Sequence, residues 1–208
     1  MEQLLRRSFQ LESEVARLFD LPLPAGSQRA WASKVMSSIA LEHASSAKLL
    51  IQAGNKTSAI SLFRLQFEAL IRGKWVLHAA SETKVSALCE LINESNFPRL
   101  NNQQASMGEM LKELTKVLPT HRMRQLEEFR DSSWKPLCSM VHGGVLALQT
   151  HAYDFPPDLL RTIVKHSNGM SCLTANLLTI ISADNTMAGY TTRLSESYRD
   201  CLPIAEMA

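Results

Sequence analysis

Apolar residues recur every three or four positions along almost the whole chain, which is the spacing that places them on one face of an α-helix. Pro, Gly and short polar clusters interrupt this pattern and mark the ends of the predicted helices. Residues 94–105 are polar and are predicted to form a loop. Helices are predicted at about 2–20, 28–53, 57–80, 81–93, 106–117, 120–130, 134–151, 158–183 and 186–200.

The short connections between these helices favour antiparallel neighbours, so the expected fold class is all-α. We predict a single-domain antiparallel bundle of about seven to nine helices over residues 1–208. Its core should cover about 28–183, with the helices at 2–20 and 186–200 packed against it. No internal repeat, low-complexity tract or change of composition marks a second domain.

The composition narrows the classes of function. Hydrophobic residues make up 45% of the chain and charged residues 20%, which is enough apolar material for a packed core. A net charge of +2 argues against a strongly electrostatic nucleic-acid binder, although it leaves room for a local basic patch. The charged N-terminal segment and the short, polar uncharged runs predict neither a secretory signal nor a membrane span, so we expect a cytoplasmic protein. Four widely spaced cysteines indicate free thiols.

A narrow line of charge runs between two apolar faces of the predicted helix at 57–80. Arg64, Glu68 and Arg72 follow one another at i, i+4 and i+8, so they stack along one line. Their apolar flanks predict that the line is at least partly buried, and buried charges cost several kcal/mol per ion unless they are paired. Two interpretations follow: a buried network that fixes helix register, or a functional pocket in which one arginine meets an anion.

The segment 136–151 contains no Asp, Glu, Lys or Arg, so it is predicted to be a helix buried on most sides. His142 is its most notable polar residue, and Gly143-Gly144 would let a neighbour or ligand approach closely. His142 is either a core imidazole with both nitrogens bonded or a buried general acid or base. We expect it to converge with Arg64 and Glu68 at the centre of the bundle.

A resemblance adds to this reading. The segments FRLQFEALIRGKWVLH at 63–78 and LCSMVHGG at 137–144 resemble a bacterial family of all-helical domains of unknown function, in which an Arg-x3-Glu helix precedes a Ser-x2-His-Gly helix. The resemblance covers about 30–180 in layout and supports the fold and the choice of residues more than a reaction. It is specific at Arg64, Glu68, Ser139, His142 and Gly143.

More distantly, the chain resembles the HEPN superfamily of helical bundles associated with nucleotides and RNA. Many of its members are dimeric ribonuclease toxins or defence proteins with an Arg-x4–6-His motif, so the resemblance implies RNA or a nucleotide as partner and a homodimer. Arg72 with His78 and Arg161 with His166 fit this spacing, and the second pair lies in the last long helix, where HEPN proteins usually carry the motif. About one such match is expected by chance.

A histidine and an arginine together supply an acid or base and a phosphate stabiliser for attack by a 2′-hydroxyl. The candidate catalytic residues are His142, Glu68, Arg64, Arg161 and His166, and the candidate ligand-binding residues are Arg72 and Ser139. The motifs of di-iron sites, zinc proteases, P-loops and dinucleotide-binding folds are absent, so we expect no metal and no cofactor.

Two functions from different classes therefore stand. The first is a HEPN-like defence or toxin-type protein that acts on RNA or nucleotides, as a metal-independent ribonuclease if it is an enzyme. The second is a non-catalytic protein-interaction module, its partner unidentified, in which the Arg-Glu-His network is structural. An open cleft over Arg64, Arg72 and His142 would favour the first, and a sealed centre with an exposed apolar patch would favour the second.

Overall fold

A computed structural model describes residues 1–102 and 104–203, apart from the side chains of Gln125, Ser132 and Asn185. The described residues form ten α-helices and no β-strand, as the all-α prediction required. Short 3₁₀ turns follow α1 and flank α10. The helices are α1 Glu2–Arg17, α2 Gln28–Gln52, α3 Lys56–His78, α4 Glu82–Cys89, α5 Phe97–Asn102, α6 Met107–Val117, α7 Thr120–Val141, α8 Val145–Tyr153, α9 Pro157–Ile181 and α10 Tyr190–Ser197.

Serine side chains fix the beginnings of three helices. Ser27 accepts a hydrogen bond from the backbone N–H of Ala30 at the start of α2, and Ser81 does the same at the start of α4. Ser106 and Glu109 satisfy each other's backbone N–H groups at the start of α6, which is a capping box. These local bonds satisfy N–H groups that have no partner inside the helix, so the sequence itself positions these three ends.

Helix α3 lies at the centre of the bundle and packs against α2, α6, α7 and α9. The prediction that its apolar face is buried is confirmed, and Phe63 and Phe67 pack against the ring of Phe129 on α7 with centroids 5.2 and 4.6 Å away. Helix α3 also contacts α7 and α8, which contain 134–151, but its most extensive contact is with α2, so the predicted central pairing needs correction. The buried face consists of Ile60, Phe63, Phe67, Leu70, Ile71 and Trp75.

The predicted helices at 120–130 and 134–151 are wrong in their boundaries. One helix, α7, runs through the polar segment before Trp134 and carries Pro136 in its interior. The break comes instead at Gly143, whose φ of +63° is a left-handed conformation that favours glycine. A Cβ on Gly144 would lie 2.6 Å from the Ser139 hydroxyl oxygen. The two glycines therefore separate α7 from α8 rather than sit inside one helix.

Helix α8 is exposed, which corrects the prediction that 136–151 is buried on most sides. Val145 is 77% exposed, Leu148 63% and Tyr153 80%, whereas Ala147 is buried against the core. An absence of charge therefore did not mean burial here. The described chain differs from the prediction in two further places: α5 lies within the predicted loop at 94–105, and the predicted terminal helices are shorter, ending in 3₁₀ turns.

A buried polar network ties four helices together. The Lys48 ammonium of α2 lies 2.5 Å from the Glu12 carboxylate of α1 and donates to the Ser167 hydroxyl of α9 at 2.9 Å. Ser167 in turn donates to the side chain of Gln66 on α3 at 2.7 Å. Lys48 is 1% exposed and Glu12 5%. Burial raises the pKa of Glu12 and lowers that of Lys48, so each charge depends on the other.

Within the described residues, no helix has both the length and the apolar character needed to cross a membrane.

We predict that Lys48→Met lowers the free energy of unfolding by about 3–5 kcal/mol, because it leaves Glu12 buried without a counter-charge. The double variant Glu12→Leu, Lys48→Met should recover most of the loss, because no charge then remains buried. Urea unfolding measures both. The control Arg17→Met breaks an exposed ion pair with Glu14 and should cost less than about 1 kcal/mol. A Lys48→Met cost as small as that of the control would contradict the prediction.

Candidate functional site

Arg64 is the hub of a polar cluster at the edge of the bundle. Its Nε donates to Glu68 Oε1 at 2.8 Å, and its Nη1 lies 3.3 Å from His142 Nε2. The guanidinium also lies over the ring of Trp134, 4.5 Å from the centroid, which is a cation–π contact. The structure thus brings together the three residues that were expected to converge. Arg64 and Glu68 lie one turn apart on α3, and His142 lies at the end of α7.

The cluster is partly open to solvent rather than central. The Arg64 side chain is 14% exposed and that of Glu68 29%, and His142 lies on the surface. The expected burial of His142 was therefore wrong, because its side chain leaves the end of α7 on the side away from the buried Leu137 and Met140. A partner in solution can reach the imidazole directly.

A hydrogen bond between Arg64 and His142 can run in only one direction. A guanidinium has only donors, so a hydrogen bond from Nη1 requires His142 Nε2 to be an unprotonated acceptor. The proton of the neutral ring is then assigned to Nδ1. Arg64 Nη2 makes no hydrogen bond within the described part of the chain. The N–H groups at this edge of the guanidinium can therefore donate to a ligand.

The Ser-x2-His-Gly sequence works as a turn between α7 and α8. The Ser139 hydroxyl oxygen accepts the backbone N–H of Leu146 at 3.0 Å, and the Ser139 carbonyl accepts that of Gly144 at 2.7 Å. The His142 N–H closes the last turn of α7 by donating to the carbonyl of Cys138. Ser139 thus holds the turn that presents His142, and a ligand-binding role for it stays a prediction.

Arg72 continues the charged line of α3 two turns beyond Arg64. It is half-buried and forms no hydrogen bond or ion pair with the described residues, whereas Arg64 has three partners. Its guanidinium therefore keeps its hydrogen-bonding capacity for water or a ligand, which is consistent with the predicted ligand-binding role and does not test it.

Arg161 and His166 are not brought together. They lie five residues apart on α9, so their side chains leave the helix about 140° apart. Arg161 is exposed, and His166 is half-buried with its ring 6.3 Å from that of Phe129. Burial lowers the pKa of His166. No contact joins this pair, or links it to Arg64, within the residues that the structure describes.

A family model spans residues 37–204 and so includes every helix that contributes to the cluster. The chain belongs to DUF6988, a family of unknown function. This agrees with the predicted membership of an uncharacterised family, and the description of DUF6988 states no activity. No curated protein and no solved structure matches the chain. The chemistry of this DUF6988 protein must therefore be argued from its own side chains.

No group of three or more His, Cys, Asp or Glu side chains in residues 1–102 and 104–203 is arranged to hold a metal ion.

The sequence interpretation missed Lys74. This lysine projects from the buried side of α3, is 6% exposed and has no hydrogen-bond partner in the described part of the chain. Burial, followed by repulsion from Arg122 on α7, lowers its pKa to about 8. His78, one turn further along, also has a lowered pKa, because it is half-buried and close to Lys74, Arg122 and Arg29. The signal was available in the sequence, since Lys74 lies on the same side of the helical wheel as Phe63 and Phe67.

We predict that the free energy of unfolding rises between about pH 8 and pH 10.5, the ordinary pKa of lysine, by about 3 kcal/mol from Lys74 alone. In this window the unfolded chain binds a proton that the folded chain has released, so rising pH favours the folded state. The Lys74→Met variant should lack this increment and should be more stable than the wild type at neutral pH.

Urea unfolding at a series of pH values measures this difference, because other titrating groups act equally in both proteins. Lys112→Met is the matched control, since Lys112 is exposed on α6. The free energy of unfolding of Lys112→Met should change with pH in the same way as that of the wild type. If the free energy of unfolding of Lys74→Met followed the same pH dependence as that of the wild type, burial of the Lys74 ammonium would not destabilise the folded state.

Proposed function

We propose that the Arg64–Glu68–His142 cluster acts on a phosphate group of RNA or of a nucleotide. The supporting observation is the exposed imidazole whose Nε2 lies 3.3 Å from the Arg64 guanidinium. A neutral imidazole is a base, and a guanidinium is a donor suited to phosphate oxygens. Glu68 holds this guanidinium in place from the same helix.

The chemistry follows from this pairing. His142 Nε2 leaves its contact with Arg64 and takes the proton of a ribose 2′-hydroxyl, and the 2′-oxygen forms a bond to the adjacent phosphorus. The bond from phosphorus to the 5′-oxygen breaks, and the proton held by His142 passes to that oxygen, which leaves a cyclic phosphate. Arg64 stabilises the charge on the non-bridging oxygens through its remaining donor, and Arg72 adds a second positive charge on the same helix.

The distant HEPN resemblance supports the same proposal and extends it. It implies a bacterial, cytoplasmic, defence or toxin-type ribonuclease that works as a dimer. In HEPN proteins the Arg-x4–6-His motif is the usual centre, and here the geometry favours Arg64 with His142 over Arg161 with His166, because only the first pair is in contact.

We predict that the purified protein cleaves a mixed RNA pool and that His142→Gln lowers the rate about 100-fold or more, because the general base is lost. Because His142 is exposed, the midpoint of thermal unfolding of His142→Gln should stay close to that of the wild type. The control His121→Gln replaces an exposed histidine of α7 and should leave cleavage unchanged.

Arg161→Gln is tested alongside these variants. If Arg161→Gln lost cleavage while His142→Gln kept full activity, the catalytic residues would have to be assigned to α9 instead. An inert wild-type protein would contradict catalysis altogether and would favour the interaction module.

A second candidate function, the non-catalytic interaction module, is favoured by the exposed apolar side chains of α8. Val145, Leu148 and Tyr153 are exposed along α8, the helix that follows the turn carrying His142. We propose a second copy of the chain as their occupant, because a two-fold interface buries the same apolar patch on both subunits. In this interpretation Arg64 serves to brace the turn from which α8 extends.

The oligomeric state tests this second candidate by light scattering coupled to size-exclusion chromatography. The wild type should be a dimer, and Leu148→Glu should shift it to a monomer, because a buried, unpaired carboxylate is costly. Leu49→Glu is the matched control, since Leu49 is an exposed leucine of α2 and is 56% exposed. A monomeric wild type, or an equal effect of the two variants, would contradict the proposed interface.

A further inference from the structure

Three basic side chains gather where α3 ends and α7 begins. Lys74 and His78 are one turn apart on α3, and Arg122 lies in the first turn of α7. Each repels the others: Arg122 acts on both α3 residues, and Lys74 acts on His78. Lys74 is 6% exposed, so neighbouring residues enclose most of its side chain.

Two other cations at this end of the bundle, Arg29 and Lys84, have their charges matched. Arg29 pairs with Glu82 and donates to the carbonyls of Val76 and Ala80. Lys84 pairs with Glu113 at 3.2 Å. Within the described residues, neither the Lys74 ammonium nor the Arg122 guanidinium has a carboxylate or any other hydrogen-bond partner. The described residues therefore leave the positive charge at this place uncompensated.

An uncompensated buried ammonium beside a second cation costs stability, and a bound anion would remove that cost. The first turn of α7 adds to the attraction, because Pro119 precedes it and provides no side chain to cap its free N–H groups. An ammonium, a guanidinium and an imidazole together suit the charge and the several oxygens of a phosphate group better than a singly charged carboxylate.

We propose that Lys74, His78 and Arg122 form a binding site for a phosphate group at the junction of α3 and α7. The site lies ten residues along α3 from Arg64, which is about 15 Å. It is therefore separate from the Arg64–Glu68–His142 cluster, and it stands whether or not that cluster cleaves RNA. The phosphate can belong to free inorganic phosphate, to a nucleotide or to an RNA backbone.

Calorimetric titration of the full chain tests the site at neutral pH and constant ionic strength. The probes are inorganic phosphate, adenosine 5′-monophosphate and a short RNA without a terminal phosphate. Arg122→Gln and Lys74→Met should each weaken binding about tenfold or more, the effect of losing one charge-assisted hydrogen bond. Arg6→Gln is the control, because Arg6 is an exposed arginine of α1 with no ion pair in the described chain.

The pattern across the probes decides the source of the phosphate. Arg122-dependent binding of inorganic phosphate or of the mononucleotide supports a small-molecule site, and Arg122-dependent binding of RNA alone supports a backbone contact. Failure of every probe to bind, or equal affinities for the wild type and Arg122→Gln, would overturn the proposal.

His142→Gln separates this proposal from the proposed ribonuclease. It should keep the Arg122-dependent binding of inorganic phosphate at the wild-type affinity even where it no longer cleaves RNA. Loss of phosphate binding in that variant, with Arg122→Gln unaffected, would assign the anion to the Arg64 cluster and would overturn the separate site. Unfolding does not confuse the result, because Arg122 is exposed and Lys74→Met removes a destabilising charge.

Discussion

The enclosure of α3 is the constraint from which the chemistry of this protein follows. A helix surrounded by α2, α6, α7 and α9 can keep a charged side chain only if that charge is paired or reaches an edge. Arg64 does both, through Glu68, Trp134 and His142. Lys74 has no partner among the described residues, and a second cation faces it from α7. The two halves of one helix therefore carry two different polar sites.

The turn after α7 decides how accessible the first of these sites is. Gly143 takes a left-handed conformation and Gly144 packs against Ser139, so α7 ends at Val141, beside His142, and the separate helix α8 begins at Val145. The imidazole is held at the surface by Arg64, and α8 extends beside it with exposed apolar side chains. A large partner can approach such an edge more easily than a central pocket, which suits both RNA and a second copy of the chain.

Membership of DUF6988 agrees with this picture without assigning a reaction to it. A helical bundle can support many unrelated activities, so function has to be argued from the side chains. The buried Lys48–Glu12 pair illustrates the difference: it is inaccessible and its two charges face each other, which is a structural role. The Arg64 cluster is exposed and the Lys74 cluster is uncompensated, and these are the properties that a ligand would use.

The sequence by itself determined the local features of this protein. Periodicity located most helices and the buried face of α3, serines marked helix starts, and i, i+4 spacing placed Arg64 beside Glu68, because all of these depend on residues within one or two turns. Tertiary structure decided the exposure of α8, the position of His142, the separation of Arg161 from His166 and the surroundings of Lys74. Those features depend on which elements meet across the bundle, and neither a lack of charge nor a short motif specifies the neighbour that a side chain will face.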